Sequence, residues 1–287
     1  MEIDSEKLMD KRVTIVGLGL MGGSLAFALR DKCRCIFGVD PDRGALNYAL
    51  INHIVDDTFT SLEGILAETD ILILATPVCT VLSLMNKLST QNSGQIMVMD
   101  LGSTKSDIVH AMNELPDRFD AVGGHPICGK EKSSIYFADS QMFKESVIVL
   151  CSSLRTTSRA RFLAEQIVEA IGAHPMWLDA ELHDRWTAFT SHFPYLASNV
   201  LASSIPKDAF PLAGPGLLST TRLAGTNVDM MVDILISNRE NIVNVMENFK
   251  EALNELEVIL ESGDTTELKG YMQRGRQNYL RFKGKDD

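Results

Sequence analysis

The sequence predicts an α/β chain: a doubly wound, mainly parallel sheet at the N-terminus, followed by an all-helical C-terminal domain. Three observations carry that expectation. Between residues 12 and 151, six short apolar runs rich in β-branched residues alternate with segments of helical spacing. The runs show no clean polar–apolar alternation, which fits strands covered on both faces. After Ala180 everything reads as helix or loop.

In chain order the expected strands are RVTIVG (12–17), CIFGVD (35–40), DILILAT (70–76), QIMVMDLG (95–102), FDAVGGH (119–125) and SVIVLC (146–151). Helical segments such as Gly23–Lys32 and Lys105–Glu114 fill the gaps, Arg159–Gly172 repeats apolar residues at helical spacing, and MWLD (176–179) is a candidate last strand. The composition therefore divides the chain into a domain at 1–179 and a helical one at 180–287. In the latter, Ile242, Val245, Met246, Phe249, Leu253, Leu256 and Leu260 mark one face of a helix spanning 239–261. That stripe packs either on the rest of the chain or on a second copy of it. A shorter helical pattern follows at Leu268–Leu280, before a frayed tail, KGKDD.

Bulk charge narrows the partners. A formal net charge of -11 over 287 residues disfavours nucleic acid, and any anionic ligand must be gathered by a local basic cluster. No window approaches the roughly 18 uninterrupted apolar residues of a membrane helix, and the start MEIDSEKLMDKR lacks an apolar signal core, so a cytoplasmic protein without a membrane partner is expected. The five cysteines (33, 35, 79, 128, 151) include no CxxC pair and read as reduced core thiols, with no metal site implied.

The first apolar run leads directly into GLGLMGGSLA. Its Gly17-Leu18-Gly19-Leu20-Met21-Gly22 has the GxGxxG spacing between a strand and a helix. The first glycine permits the turn, the second lets backbone approach a pyrophosphate, and the third brings helix close to strand. Asp40 ends the second run about 20 residues further on, where an acidic side chain accepts hydrogen bonds from a ribose 2′-hydroxyl. This is a Rossmann-type site for a dinucleotide. Asp40 favours NAD, Arg43 nearby leaves NADP possible, and in a purely structural role Asp40 would only cap the Asp-Pro-Asp turn. Ala75, Thr76 and Pro77, ending the third run, are expected beside the cofactor at the carboxyl edge of the sheet, although Thr-Pro also simply terminates a strand.

The fourth and fifth runs end in DLGSTK and GGHP, so Ser103 and His125 are expected at the same edge. Glycines and proline fix the backbone around His125, and a neutral imidazole there suits a general base near neutral pH; alone, a histidine in such a turn is more often structural. Two clusters in the helical half keep it company. Thr190-Ser191-His192-Phe193-Pro194-Tyr195 breaks a helix at Pro194, and Arg222 lies among small polar residues after a Gly-Pro-Gly loop. Arg222 is either a surface arginine or a bidentate clamp on a carboxylate.

Together, GLGLMGGSLA, DLGSTK, GGHPICGKEKS, SHFPYLA and TTRLAG…ILISNRENI resemble the TyrA family of prephenate and arogenate dehydrogenases across nearly the whole chain. The resemblance implies NAD(P)-dependent oxidative decarboxylation of a small cyclohexadienol, prephenate or arogenate, on the route to tyrosine, by a homodimer joined through its helical domain. It implies that His125 takes the ring-hydroxyl proton, that Ser103 bridges His125 and the nicotinamide, and that Arg222 holds the ring carboxylate. It also places Ser191, His192, Tyr195 and Lys130 around the substrate. Three positions depart from the family pattern: Tyr195 replaces a frequent histidine, Lys130 a small hydroxyl residue, and Met231 a common tryptophan. An ammonium at Lys130 favours the pyruvyl carboxylate of prephenate over the amino group of arogenate. A β-hydroxyacid dehydrogenase is a rival, but no lysine stands between 180 and 206 to serve as its acid/base. A non-catalytic NAD-binding sensor or scaffold is the other.

Overall fold

The apolar runs become the strands of one eight-stranded sheet: β1 (Arg12–Val16), β2 (Cys35–Val39), β3 (Asp57–Phe59), β4 (Ile71–Leu74), β5 (Ile96–Asp100), β6 (Phe119–Pro126), β7 (Val147–Ser152) and β8 (His174–Trp177). The computed structural model describes residues 6–90, 94–129, 132 and 134–284. The spatial order is β3-β2-β1-β4-β5-β6-β7-β8, and every neighbouring pair is parallel except β6 and β7. The three-residue edge strand β3 is absent from the runs read in the sequence, and β8 begins at His174 rather than Met176.

Both faces of the sheet are covered, which is why the runs do not alternate. Along β4, Ile71 and Ile73 join a core with α1 (Leu20–Leu29), α2 (Arg43–Ile51) and α5 (Ser158–Ala170). Leu72 and Leu74 point the other way, into a core with α3 (Val78–Leu88) and α4 (Ser106–Asn113). Strand order reverses between β1 and β4, which places a crevice at the carboxyl ends of those two strands.

Between β6 and β7 the chain makes an excursion over α1. Ile135 packs so closely on that helix that a Cβ at Gly23 would lie 2.9 Å from it, and the Ser24 hydroxyl accepts the Asp139 amide at 2.9 Å. Because the excursion returns to the edge it left, β7 runs antiparallel to β6, with Pro126 opposite Ile148.

Beyond β8 come α6 (Ala180–Thr187), a π-helical turn (Ala188–His192), α7 (Phe193–Ser204), α8 (Pro215–Thr220) and α9 (Val228–Ser237). Pro194 lacks the amide that would continue the helical ladder, and the wide turn falls just before it. The chain forms two compact units, Met1–Arg239 and Glu240–Asp287. Sheet gives way to helix at Ala180, but α6 to α9 belong to the first unit. In the second, α10 (Arg239–Ser262) pairs with α11 (Thr265–Phe282) through the Tyr271 hydroxyl on the Ala252 carbonyl (3.2 Å) and an Arg274–Glu255 ion pair (3.0 Å). Of the long apolar stripe, Ile242 and Val245 are buried, while Phe249, Leu253 and Leu260 are exposed in the single chain.

Candidate active site

At the strand-order reversal lies a cleft of about 650 Å³, lined by Gly17, Gly19, Asp40, Ala75, Thr76 and Pro77 together with Thr60, Ser61, Glu63 and Lys87. Gly17 has φ 91°, and a Cβ there would sit 2.8 Å from the Ala75 carbonyl oxygen. A Cβ on Gly22 would lie 1.9 Å from the Gly17 carbonyl oxygen, so helix α1 can start this close to β1 only with glycine at that position. At Gly19 a Cβ would meet nothing within 4 Å, which leaves the backbone open to the cleft at the start of α1. Leu18 and Leu20 are buried, so they offer the turn their backbone, and Met21 is half-buried against the core.

The Asp40 carboxylate accepts the Leu18 amide at 2.7 Å through Oδ2 and the Asp42 amide at 2.8 Å through Oδ1. Each oxygen retains a lone pair for a ribose hydroxyl. The Thr76 hydroxyl is buried with no hydrogen-bond partner among the described residues, a group for which a ligand in the cleft would supply one. Open backbone at Gly19, the carboxylate at Asp40 and the unpartnered hydroxyl at Thr76 suit a dinucleotide. Asp40 and Glu63, which both line the cleft, oppose a 2′-phosphate.

The next pair of strand ends is tied together by Asp100. Its carboxylate pairs with Lys105 and accepts the Gly102 amide at 2.7 Å and the Gly124 amide at 3.1 Å, so one side chain connects the loop carrying Ser103 to the strand carrying His125. Both members of the ion pair are 0% exposed. Burial raises the Asp100 carboxyl above its ordinary value, against the pull of the Lys105 ammonium and the two amides. Ser103 is half-buried in this loop, and next to it the Thr104 hydroxyl meets that of Ser237 on α9 at 2.9 Å.

His125 is half-buried near the end of β6, and its Nδ1 lies 2.8 Å from Nε2 of His183 on α6. His183 Nδ1 in turn lies 2.8 Å from Asp184 Oδ1. Asp184 also accepts the Lys105 amide at 2.7 Å and the Ser106 amide at 2.8 Å, capping the start of α4. Burial opposes charge on Asp184, but its hydrogen bonds with His183, Ser106 and Lys105 prevail and hold the carboxyl below its ordinary value. Burial first, then His183, Lys105 and His192, hold the His125 imidazole well below the ordinary histidine range, so it is neutral at pH 7.

His192, on the π-helical turn, is 1% exposed and is pushed down to about 4 by burial. The Asn238 amide donates to its Nδ1 at 3.0 Å and to the Asp184 carbonyl at 2.7 Å. A neutral ring that accepts at Nδ1 carries its proton on Nε2, and that nitrogen is buried without a partner among the described residues. The other residues expected around a substrate scatter. Ser191 is exposed, and Arg222 opens a 3₁₀ turn (Arg222–Gly225) with its side chain exposed. Tyr195 is buried in an apolar cluster with Met231 and Ile234. Lys130 and its neighbour Glu131 lie outside the described residues.

His183, Asp184, Asn238 and Lys105 were not singled out as site residues from the sequence. The first two had a legible signal: on α6 the buried face is Ala180, His183, Asp184 and Thr187, helical spacing with polar residues where apolar ones belong. The cysteine reading needs one correction. All five are free, but Cys79 is exposed at the start of α3, where its thiol meets Asp233, and only Cys151 is fully buried.

Residues 25–177 match the nucleotide-binding domain of prephenate dehydrogenase, and residues 179–274 match that enzyme's dimerization domain. The chain belongs to the prephenate dehydrogenase family. Its relatives include the prephenate dehydrogenase of Lactococcus lactis, 30% identical over 93% of this chain and 76% of that protein. The prephenate dehydrogenase of Bacillus subtilis is 29% identical over 93% of this chain and 75% of that protein. Among solved structures, prephenate dehydrogenase from A. aeolicus in complex with hydroxyphenyl propionate and NAD+ superposes with a TM-score of 0.87. It is 29% identical and covers 95% of this chain and 98% of its own. Among the described residues no helix is long and apolar enough to cross a membrane, and no cluster of His, Cys, Asp or Glu could hold a metal ion.

Proposed function

We propose that this protein is an NAD-dependent prephenate dehydrogenase that converts prephenate to 4-hydroxyphenylpyruvate and CO2 in tyrosine biosynthesis, as a cytoplasmic homodimer assembled through its helical part. The observation that carries this reading is the place of His125, near the end of the strand next to the one that leads into the Ser103 loop, on the sheet edge where the dinucleotide cleft opens, with burial favouring its neutral form. When bound, NAD supplies the nicotinamide that takes the hydride from the substrate ring.

The chain supplies alignment and a proton acceptor, because aromatisation of the ring drives decarboxylation. Gly17 to Gly22 and Asp40 hold the dinucleotide, with Ala75, Thr76 and Pro77 along its path. His125 Nε2 takes the hydroxyl proton of the substrate, and Ser103 orients the imidazole toward it. Arg222 binds the ring carboxylate, and the buried Nε2–H of His192 offers a donor to the substrate. Residues 1–179 thus form the cofactor half and 180–287 the substrate and dimerisation half.

The test is NADH absorbance with prephenate and with arogenate, each with NAD and with NADP, and identification of the product. Production of 4-hydroxyphenylpyruvate with NAD is the expected result. Dinucleotide binding without turnover of either substrate would instead favour a sensor or scaffold.

A further inference from the structure

We propose that His183 and Asp184 are positioning residues for His125: they keep its proton on Nδ1, so that Nε2 is the base, and they receive the positive charge after that base has taken a proton. The inference rests on the reading of His125 as the proton acceptor.

Hydrogen-bond chemistry fixes the direction of the chain. An ionised carboxylate only accepts, so at 2.8 Å from Asp184 Oδ1 the His183 Nδ1 must carry a hydrogen. With a single ring hydrogen, held at Nδ1 by that carboxylate, His183 Nε2 is an acceptor. The atom 2.8 Å from it is His125 Nδ1, which therefore donates, and the lone pair of His125 lies on Nε2. Free histidine prefers the opposite tautomer, so without this chain most of the population would present an N–H to the substrate hydroxyl.

The second part follows from where a cation is tolerated. Among the described residues, the titratable groups that act on His125 are His183 from α6, Lys105 from the turn between β5 and α4, and His192 from the π-helical turn, with Asp184 behind His183 and Asp100 behind Lys105. Asp100 is already matched by Lys105, and among the described residues no carboxylate pairs directly with His125. His183 has one at 2.8 Å, and both His183 and Asp184 are 1% exposed. When the substrate O–H breaks and a hydrogen forms on His125 Nε2, the Nδ1 hydrogen passes to His183 Nε2. His125 is then neutral and the imidazolium faces Asp184. One proton enters the chain, one charge appears at its far end, and no electrons are transferred.

The experiment uses ¹⁵N-histidine NMR of the full chain, with kinetics of His183→Leu and His183→Gln. His183 is varied because Asp184 also holds the start of α4. In the wild type, His125 is expected to show a protonated Nδ1 and a bare Nε2, a readout that needs neither substrate nor variant. His183→Leu should move that hydrogen to Nε2 and lower kcat by about 10²-fold with little change in KM for either substrate or in NAD affinity. His183→Gln, whose carbonyl can accept from Nδ1–H but cannot take a proton, should restore the tautomer and part of kcat. Its kcat in H2O–D2O mixtures should vary linearly with deuterium fraction where the wild type curves, a signature no general loosening of the fold produces. A wild-type His125 protonated on Nε2, or wild-type kcat in His183→Leu, overturns the proposal. Failure of the wild type to oxidise prephenate would refute the assigned reaction while the NMR result still decides the tautomer.

Discussion

Substituting Lys105 by methionine tests the strut under the site. The two side chains are similar in length, so the change removes an ammonium with little change in packing volume. Asp100 is left fully buried with the amides of Gly102 and Gly124 as its remaining donors, at 2.7 and 3.1 Å. Removing one partner of a buried ion pair costs about 3–5 kcal/mol, because the other charge stays uncompensated. Burial already raises the Asp100 carboxyl, and without Lys105 it rises further. A carboxyl whose folded value exceeds its unfolded one binds more protons when folded, so the variant regains stability as pH falls and loses it as pH rises. The deficit should therefore be larger at pH 8 than at pH 5. Asp100→Asn/Lys105→Met removes both charges and should cost clearly less than the sum of the single changes. Urea denaturation of the four proteins, read by tryptophan fluorescence, measures these differences through the shift in midpoint. A Lys105→Met deficit below about 1 kcal/mol, or strict additivity in the cycle, would refute the reasoning.

Three further outcomes are expected. Gly22→Ala places a methyl 1.9 Å from the Gly17 carbonyl oxygen, so the turn must open and NAD affinity should fall at least about tenfold, measured by titration calorimetry. Asp40→Ser should lower kcat/KM for NAD while raising the NADP-to-NAD ratio, because it removes the negative charge facing the ribose; an unchanged ratio would discard Asp40 as the discriminator. His192 is held at about 4 against an ordinary 6.5, so between those values the unfolded chain binds a proton that the folded chain refuses. That stability is present above pH 6.5 and is lost on acidification, about 3 kcal/mol in all, and His192→Gln should flatten this part of the pH–stability curve.

The parallel sheet was legible because its strands are buried on both faces, which leaves apolar runs that no surface strand would carry. The edge strand β3 was not, since three residues, Asp57–Phe59, with their first exposed, give no periodicity to read. The direction of β7 was not legible either, because a run specifies a strand but not its sense; that depends on the excursion through Ile135 and its seat on Gly23. In the site, the glycine turn and Asp40 could be read from spacing, since backbone geometry there depends on residue type at fixed positions. The chain from Asp184 through His183 to His125 could not, because it joins α6 to β6 across 58 residues and is set by tertiary packing. Tyr195, aligned with a polar family position, sits among Met231 and Ile234, an environment that local sequence does not specify.

The measurement that bears most directly on the assignment is steady-state turnover of prephenate by wild type and His125→Asn, with NAD affinity determined separately on both. If the imidazole is the proton acceptor, kcat falls on the order of 10²–10⁴-fold while NAD binds as before. Turnover within a few-fold of wild type would remove His125 from the chemistry, and with it the reading of this site.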